Sequence, residues 1–211
     1  MENKLNSPIG CLPADWALVN LKTITTKIGS GSTPRGGESA YLPKRDEYAF
    51  VRSQNVFDFY FNETSMKFIS DTDTKKLKGV HLQKNDILLN ITGDGITFAR
   101  SCIVPDEILP AAVNQHVAII RLDITKCLPG YLLAYLCLPQ IKDYIASFNA
   151  GGSRRAVTKA HIESFEIPLP PMDIQSFIQE IVFDFSKKIE LNNRKNQTLE
   201  SIAKTIFKSW F

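Results

Sequence analysis

Two windows of this chain combine glycine-rich turns with positive charge and no acid. The first runs from Lys22 to Gly37 and holds Lys27 and Arg35 around the turn Gly29-Ser-Gly-Ser-Thr-Pro-Arg-Gly-Gly37. The second runs from Tyr144 to Ile162 and joins Gly151-Gly-Ser-Arg-Arg155 to Lys159 and His161. Glycine lets backbone N–H groups approach an anion closely, and flanking Arg and Lys neutralise it, so this pairing suits phosphate. Arg52-Ser-Gln-Asn55 and Asn114-Gln-His116 add side chains that can make paired hydrogen bonds to purine edges. Contacts to double-stranded DNA are therefore expected from Lys27, Ser32, Thr33, Arg35, Arg52, Gln54, Asn55, Thr92, Gln115, His116, Ser153, Arg154, Arg155 and Lys159. The alternative is that these are solvated loops and amides at the edge of a core.

Catalytic and metal chemistry find no support in the residue pattern. Gly93-Asp-Gly95 lacks the third glycine or the lysine of a nucleotide loop and reads as a turn. Leu169-Pro-Pro-Met172 has the outline of the Asn-Pro-Pro-aromatic motif of adenine methyltransferases, but Leu stands where Asn would hold the amino group. His81, His116 and His161 are far apart with no metal-ligand spacing, so no metal is expected. Cys11, Cys102, Cys127 and Cys137 form no C-x-x-C pair and lie in or beside apolar stretches, as reduced core thiols would.

The elements that must position these residues read as a mixed head followed by a rod. Tyr48–Arg52, Asp86–Thr92, Phe98–Val104 and Val113–Leu122 are rich in β-branched and aromatic residues and predict strands. The stretch Trp16–Leu21 enters a strand or helix, and Lys22–Ile28 predicts a short helix. Ser70 offers an N-cap to a basic helix over Lys75–Lys78, and Thr158 caps a turn. Tyr131–Phe148 has helical spacing broken near Pro139. Trp16, Phe57, Phe59, Tyr60 and Phe61 are expected in the core. The fold class is thus α+β, a globular head with a twisted β-sheet over residues 1–170 and a long helix over residues 171–211.

From Asp173 onward the sequence has neither Gly nor Pro. Ile178, Val182, Phe185, Ile189, Asn192, Asn196, Leu199, Ala203, Ile206 and Trp210 recur at alternating steps of four and three. That period of 3.5 with polar residues at its centre predicts a coiled-coil seam whose register is specified by Asn. The helix would be roughly 55 Å long, too long to pack wholly on one small head. The seam is symmetric about position 194, so two antiparallel copies would place Asn192 opposite Asn196. A second helix in a longer protein could fill the same place.

Composition sets the outer bounds. The 211 residues carry a net charge of only +3, so it is charge distribution, not total, that favours a nucleic acid. No apolar run of membrane-spanning length and no secretory leader are read, and a cytoplasmic location is expected.

Leu12-Pro-Ala-Asp-Trp16, Gly31-Ser-Thr-Pro34, Gly79 with Asp86-Ile-Leu-Leu, Gly152-Ser, and Ile167-Pro-Leu-Pro-Pro-Met-Asp-Ile-Gln175 together resemble the specificity subunit of type I DNA restriction–modification systems. The stretch Lys188-Ile-Glu-Leu-Asn…Leu199-Glu…Ile206-Phe-Lys-Ser-Trp-Phe211 is similar to that family's helical region. The resemblance covers nearly the whole chain. It implies a non-catalytic target recognition domain that reads one half of a bipartite site, with the helix as spacer. It further implies methylation subunits that bind S-adenosylmethionine, a restriction subunit, and no cofactor in this chain itself. Such subunits have two recognition domains and two antiparallel helices, whereas this sequence holds one of each. A different class of reading is a coiled-coil assembly scaffold whose head binds protein and not DNA.

Overall fold

The computed structural model describes residues 6–45, 48–149 and 155–210. Its centre is a four-stranded antiparallel sheet in the order Ser101–Ile103, Ile87–Asn90, Val117–Leu122, Thr25–Ser30. Alternation sends Ile87, Leu89, Ala118 and Ile120 to one face, where they meet Leu132, Leu136, Ile141 and Ile145 of the helices Pro129–Leu136 and Pro139–Ser147. Leu88, Cys102, Val117 and Ile119 point the other way, onto Ala49, Val51, Ala111 and Val113. Those belong to a second sheet in which Ala111–Val113 runs parallel to Tyr48–Val51, itself antiparallel to Lys67–Ile69. With both faces covered, the central strands read as unbroken apolar runs and not as an apolar–polar alternation.

Local signals explain most boundaries. Ser70 Oγ accepts the Asp73 N–H at 3.1 Å and starts the helix Asp71–Lys76, a little earlier than the basic run implied. Pro129 and Pro139 each occupy a first helical turn, where a missing N–H costs nothing, so the expected break produces two separate helices. The Lys22–Ile28 helix is not formed. A single 3₁₀ turn, Leu21–Ile24, leads into the strand Thr25–Ser30, because Thr25, Thr26 and Ile28 favour extended backbone and Val117–Leu122 supplies the ladder. Cys102 and Cys127 are buried and Cys137 half-buried, but Cys11 is exposed in the short hairpin Asn6–Ser7/Gly10–Cys11 and is no core thiol. Of the aromatics expected in the core, Phe61 is buried, while Trp16, Phe57, Phe59 and Tyr60 are half-buried.

The end of the central sheet away from Asn90 is closed by an ion pair. Asp86, fully buried, receives Arg121 Nε at 2.7 Å and Nη2 at 2.8 Å, and the Gln83 N–H at 2.7 Å. The fork geometry satisfies both carboxylate oxygens at once.

The strand Glu166–Leu169 pairs antiparallel with Ala17–Asn20 and delivers the chain to the helix Met172–Trp210. Its 39 residues give a rod of about 58 Å. The helix Pro129–Leu136 lacks a side-chain cap of its own, since Leu128 precedes it. The long helix supplies the missing acceptors: Gln175 Oε1 takes the Leu128 N–H at 2.9 Å and Gln179 Oε1 takes the Gly130 N–H at 3.0 Å. Gln175 Nε2 also donates to the carbonyls of Lys126 at 3.2 Å and Pro170 at 2.9 Å. A Cβ on Gly130 would stand 2.6 Å from Gln179 Cγ, so the two helices touch where only glycine fits.

This docking alters the expected seam. Val182 is buried against the head and Ile178 and Ile189 are half-buried, while Phe185 between them is exposed. A repeat of 3.5 drifts about 20° per heptad around a straight helix. The head thus covers part of the early seam, at Val182, while Phe185 and the later positions, Asn192 to Trp210, lie exposed. Removing Arg121 as Arg121→Ala leaves a buried carboxylate without its partner and is expected to cost about 3–5 kcal/mol. Urea unfolding of the whole chain measures this, and a loss under about 1 kcal/mol would show that the pair does not hold this end of the sheet.

Candidate nucleic-acid interface

Strand register gathers distant turns on one rim. Val117 lies opposite Asn90 and Ala118 opposite Ser30, so the segments 114–116, 91–93 and 31–35 leave the sheet at the same end. The parallel pairing of Ala111–Val113 with Tyr48–Val51 sends residues 52–55 to that end too, tied by the Asn114 N–H to Val51 O bond at 3.0 Å. Arg155–Ala156 completes the rim by pairing with Thr92–Gly93, which places Arg155 beside Gly93. Buried Asn90 braces the rim from below, its Nδ2 donating to Ser53 O at 2.9 Å and Thr97 O at 3.1 Å. Gly31 crosses the 113–114 backbone so closely that a Cβ there would stand 1.9 Å from Val113 O.

Across this rim runs a chain of polar side chains. Thr33 Oγ1 donates to Gln115 Oε1. Gln115 Nε2 lies 3.3 Å from His116 Nε2, and His116 Nδ1 lies 2.6 Å from Thr92 Oγ1. Asn114 Oδ1 accepts the His116 N–H at 3.0 Å and shapes the turn beneath. Asp94 nearby is spent on its own turn: bonds from the Thr97 N–H and hydroxyl and the Ile96 N–H hold its carboxyl below the usual range. Gly93-Asp-Gly95 is thus a turn built around an aspartate.

The structure brings together Ser32, Thr33, Thr92, Gln115, His116 and Arg155, and separates others. Arg35 is exposed and borders a concavity with Ser32, Asp73 and Lys76. Arg52 is half-buried, donates from Nη2 to Ser65 O at 2.7 Å and covers the Tyr41 ring, while Gln54 stays exposed. Asn55 is a correction. It is fully buried, its Oδ1 accepts the Arg52 N–H and its Nδ2 donates to Asn62 O, so it shapes a turn and offers nothing to a ligand. Lys27 lies away from the rim, opposite Arg121, where burial and then the Arg121 charge lower its pKa. Lys159 pairs with Glu163 at 3.6 Å and borders a shallow groove with Lys22 and Lys27. Ser153 and Arg154 lie outside the described residues. Arg100 was not foreseen: its carbonyl accepts the Asn90 N–H at the level of the rim, and its guanidinium sits 4.3 Å above the Phe57 ring. A lone Arg after Phe98-Ala99 gives no local signal of that stacking.

Residues 13–201 match the model of the type I restriction modification DNA specificity domain. The chain belongs to this family. The specificity family also supplies its relatives. The HindI specificity subunit of Haemophilus influenzae is 26% identical over 200 residues, covering 94% of this chain and 41% of that protein. The MjaIX specificity subunit of Methanocaldococcus jannaschii is 23% identical, covering 96% of this chain and 45% of that protein. The chain spans somewhat under half the length of these relatives. The HsdS subunit from Thermoanaerobacter tengcongensis shares the fold with a TM-score of 0.56 at 16% identity, covering 87% of this chain and 40% of the other.

Because the rim depends on the crossing at Gly31, Gly31→Ala is expected to destabilise the fold by about 3 kcal/mol. Thermal unfolding of the full chain measures this. A variant as stable as the wild type would mean that the loop can move aside.

Proposed function

We propose that this chain is a non-catalytic DNA-recognition element that reads one half of a bipartite site. The observation that carries this is the convergence of turns distant in sequence, with Thr33, Gln115, His116, Thr92 and Arg155, on a single rim of a specificity-family fold. Glycine-lined turns and Arg155 contact phosphates and fix the docking angle, while neutral polar tips face base edges. The same head and helix scaffold methylation subunits and a restriction subunit, and S-adenosylmethionine belongs to the methylation subunit. Residues 1–170 form the recognition unit and residues 171–211 the spacer.

The helix carries a stripe for a second helix, from another copy of this chain or from a second recognition half. Phe177, Ile181 and Phe185 are exposed on the side away from the head, and Leu199 and Ile206 continue the stripe past Asn192. Antiparallel pairing along it sets two heads at opposite ends of the rods, as an inverted and spaced repeat requires.

Arg155→Ala should weaken binding to cognate and unrelated duplexes alike and lower the log–log salt slope by about one. Titrations at about 50 and 200 mM salt test this, and unchanged binding at both would remove Arg155 from the interface. Phe185→Glu and Leu199→Glu should each weaken self-association at least thirtyfold, equivalent to about 2 kcal/mol per buried side chain. Sedimentation equilibrium reads this. A wild-type chain that stays monomeric at tens of micromolar would assign the stripe to a second recognition half.

A further inference from the structure

We infer that Gln115 is a base-reading residue specific for adenine, and that His116 and Thr33 are the positioning residues that set its amide. The inference rests on the reading of the rim as a duplex interface and deepens it.

A hydrogen-bond chain holds the Gln115 amide at both ends. Thr33 Oγ1 donates to Oε1 of Gln115, and Nε2 lies 3.3 Å from Nε2 of the His116 ring. An amide nitrogen is only a donor, so His116 Nε2 must accept. The ring proton then sits on Nδ1 and is given to Thr92 Oγ1 at 2.6 Å. The opposite polarity, with Nε2 donating to Thr33 Oγ1 and the other ring tautomer donating to Oε1, holds the amide at the same two ends and leaves the same groups unused. Held at both ends, the exposed amide keeps one N–H and one oxygen lone pair unused. A donor beside an acceptor on one planar group matches adenine, whose major-groove edge offers N7 as acceptor and N6–H as donor. Guanine shows two acceptors there, and no amide orientation satisfies both. Among the other amides of the expected set, Asn55 is committed internally, and Gln54 has Nε2 3.4 Å from Ser65 Oγ with no bond at its oxygen among the described residues. Gln115 alone in that set is exposed and fixed at both ends.

The test is selection of binding sites from a randomised duplex library by the full chain, followed by the same selection with three variants. Wild type should recover a site with adenine at a position that Gln115→Ala reduces to no base preference, losing tenfold or more in discrimination, about the lower range for a bidentate pair. The other positions should be retained. Gln115→Glu has only acceptors and should shift that one position towards cytosine, which offers its N4 amino group. His116→Phe leaves Gln115 in place but frees its amide, and should blur the same position, a change in base preference that a loss of overall affinity alone would not produce. If the wild-type preferences persist in Gln115→Ala, or if that variant weakens every sequence equally, Gln115 reads no base although the half-site reading stands. If the wild type selects no sequence at all, the half-site reading fails and this inference fails with it.

Discussion

The burial of the central sheet on both faces is the constraint from which the rest of the molecule follows. All of Ile87-Leu-Leu-Asn90 is buried, as are Val117 to Ile120, with helices on one side and a second sheet on the other. Side chains that point from such strands are used up by packing, and no ligand can reach them. Contact with anything outside is left to the strand ends. One end is sealed by Asp86 and Arg121. The other is where the turns emerge, and Thr33, Gln115, His116 and Thr92 there are tied to one another by hydrogen bonds instead of ion pairs. The ion pair holds the fold at one end, and the hydrogen-bonded tips at the other are left free to discriminate.

A second constraint joins the head to its rod. Burying the start of Pro129–Leu136 leaves N–H groups that neither Leu128 nor Pro129 can satisfy. Gln175 and Gln179, one helical turn apart, answer that need from the long helix. Carboxamides suit the place because they accept and donate without bringing charge into a site that is almost fully enclosed, Gln175 being 1% exposed. Side-chain hydrogen bonds of fixed length set the rotation of the rod about its own axis as well as its position. The face turned outward, with Phe177, Ile181 and Phe185, is therefore a consequence of the cap.

Elements were more legible in the sequence than their assembly. The strands over 86–92 and 113–122, the proline-started helices and the long rod each carry their own period or punctuation, and local signals suffice for them. Thr25–Ser30 failed that test because its conformation is decided by a ladder with residues 117–122, which no local pattern reveals. The long helix was legible, but a repeat of 3.5 does not show how much of it a nearby head will take, and Val182 is buried while Phe185 is exposed. Among the rim residues, Gln115, His116 and Thr33 stood out by type, but Asn55 stood out equally and proved structural. Composition cannot tell a buried amide from an exposed one. Gln175 lay in a motif noted for its prolines, and its role became visible only once Leu128 was beside it.

The placement of the polar chain on turn tips has a further consequence, for descent. Thr33, Gln115 and Gln54 belong to none of the packed clusters, while Gly31, Asn90 and Asn114 beneath them hold the backbone in place. Exchanges at exposed tips typically change stability by no more than about 0.5 kcal/mol. A lineage carrying this architecture can therefore drift in what its tips present while the supports stay as they are, and acquire new preferences without passing through unfolded ancestors.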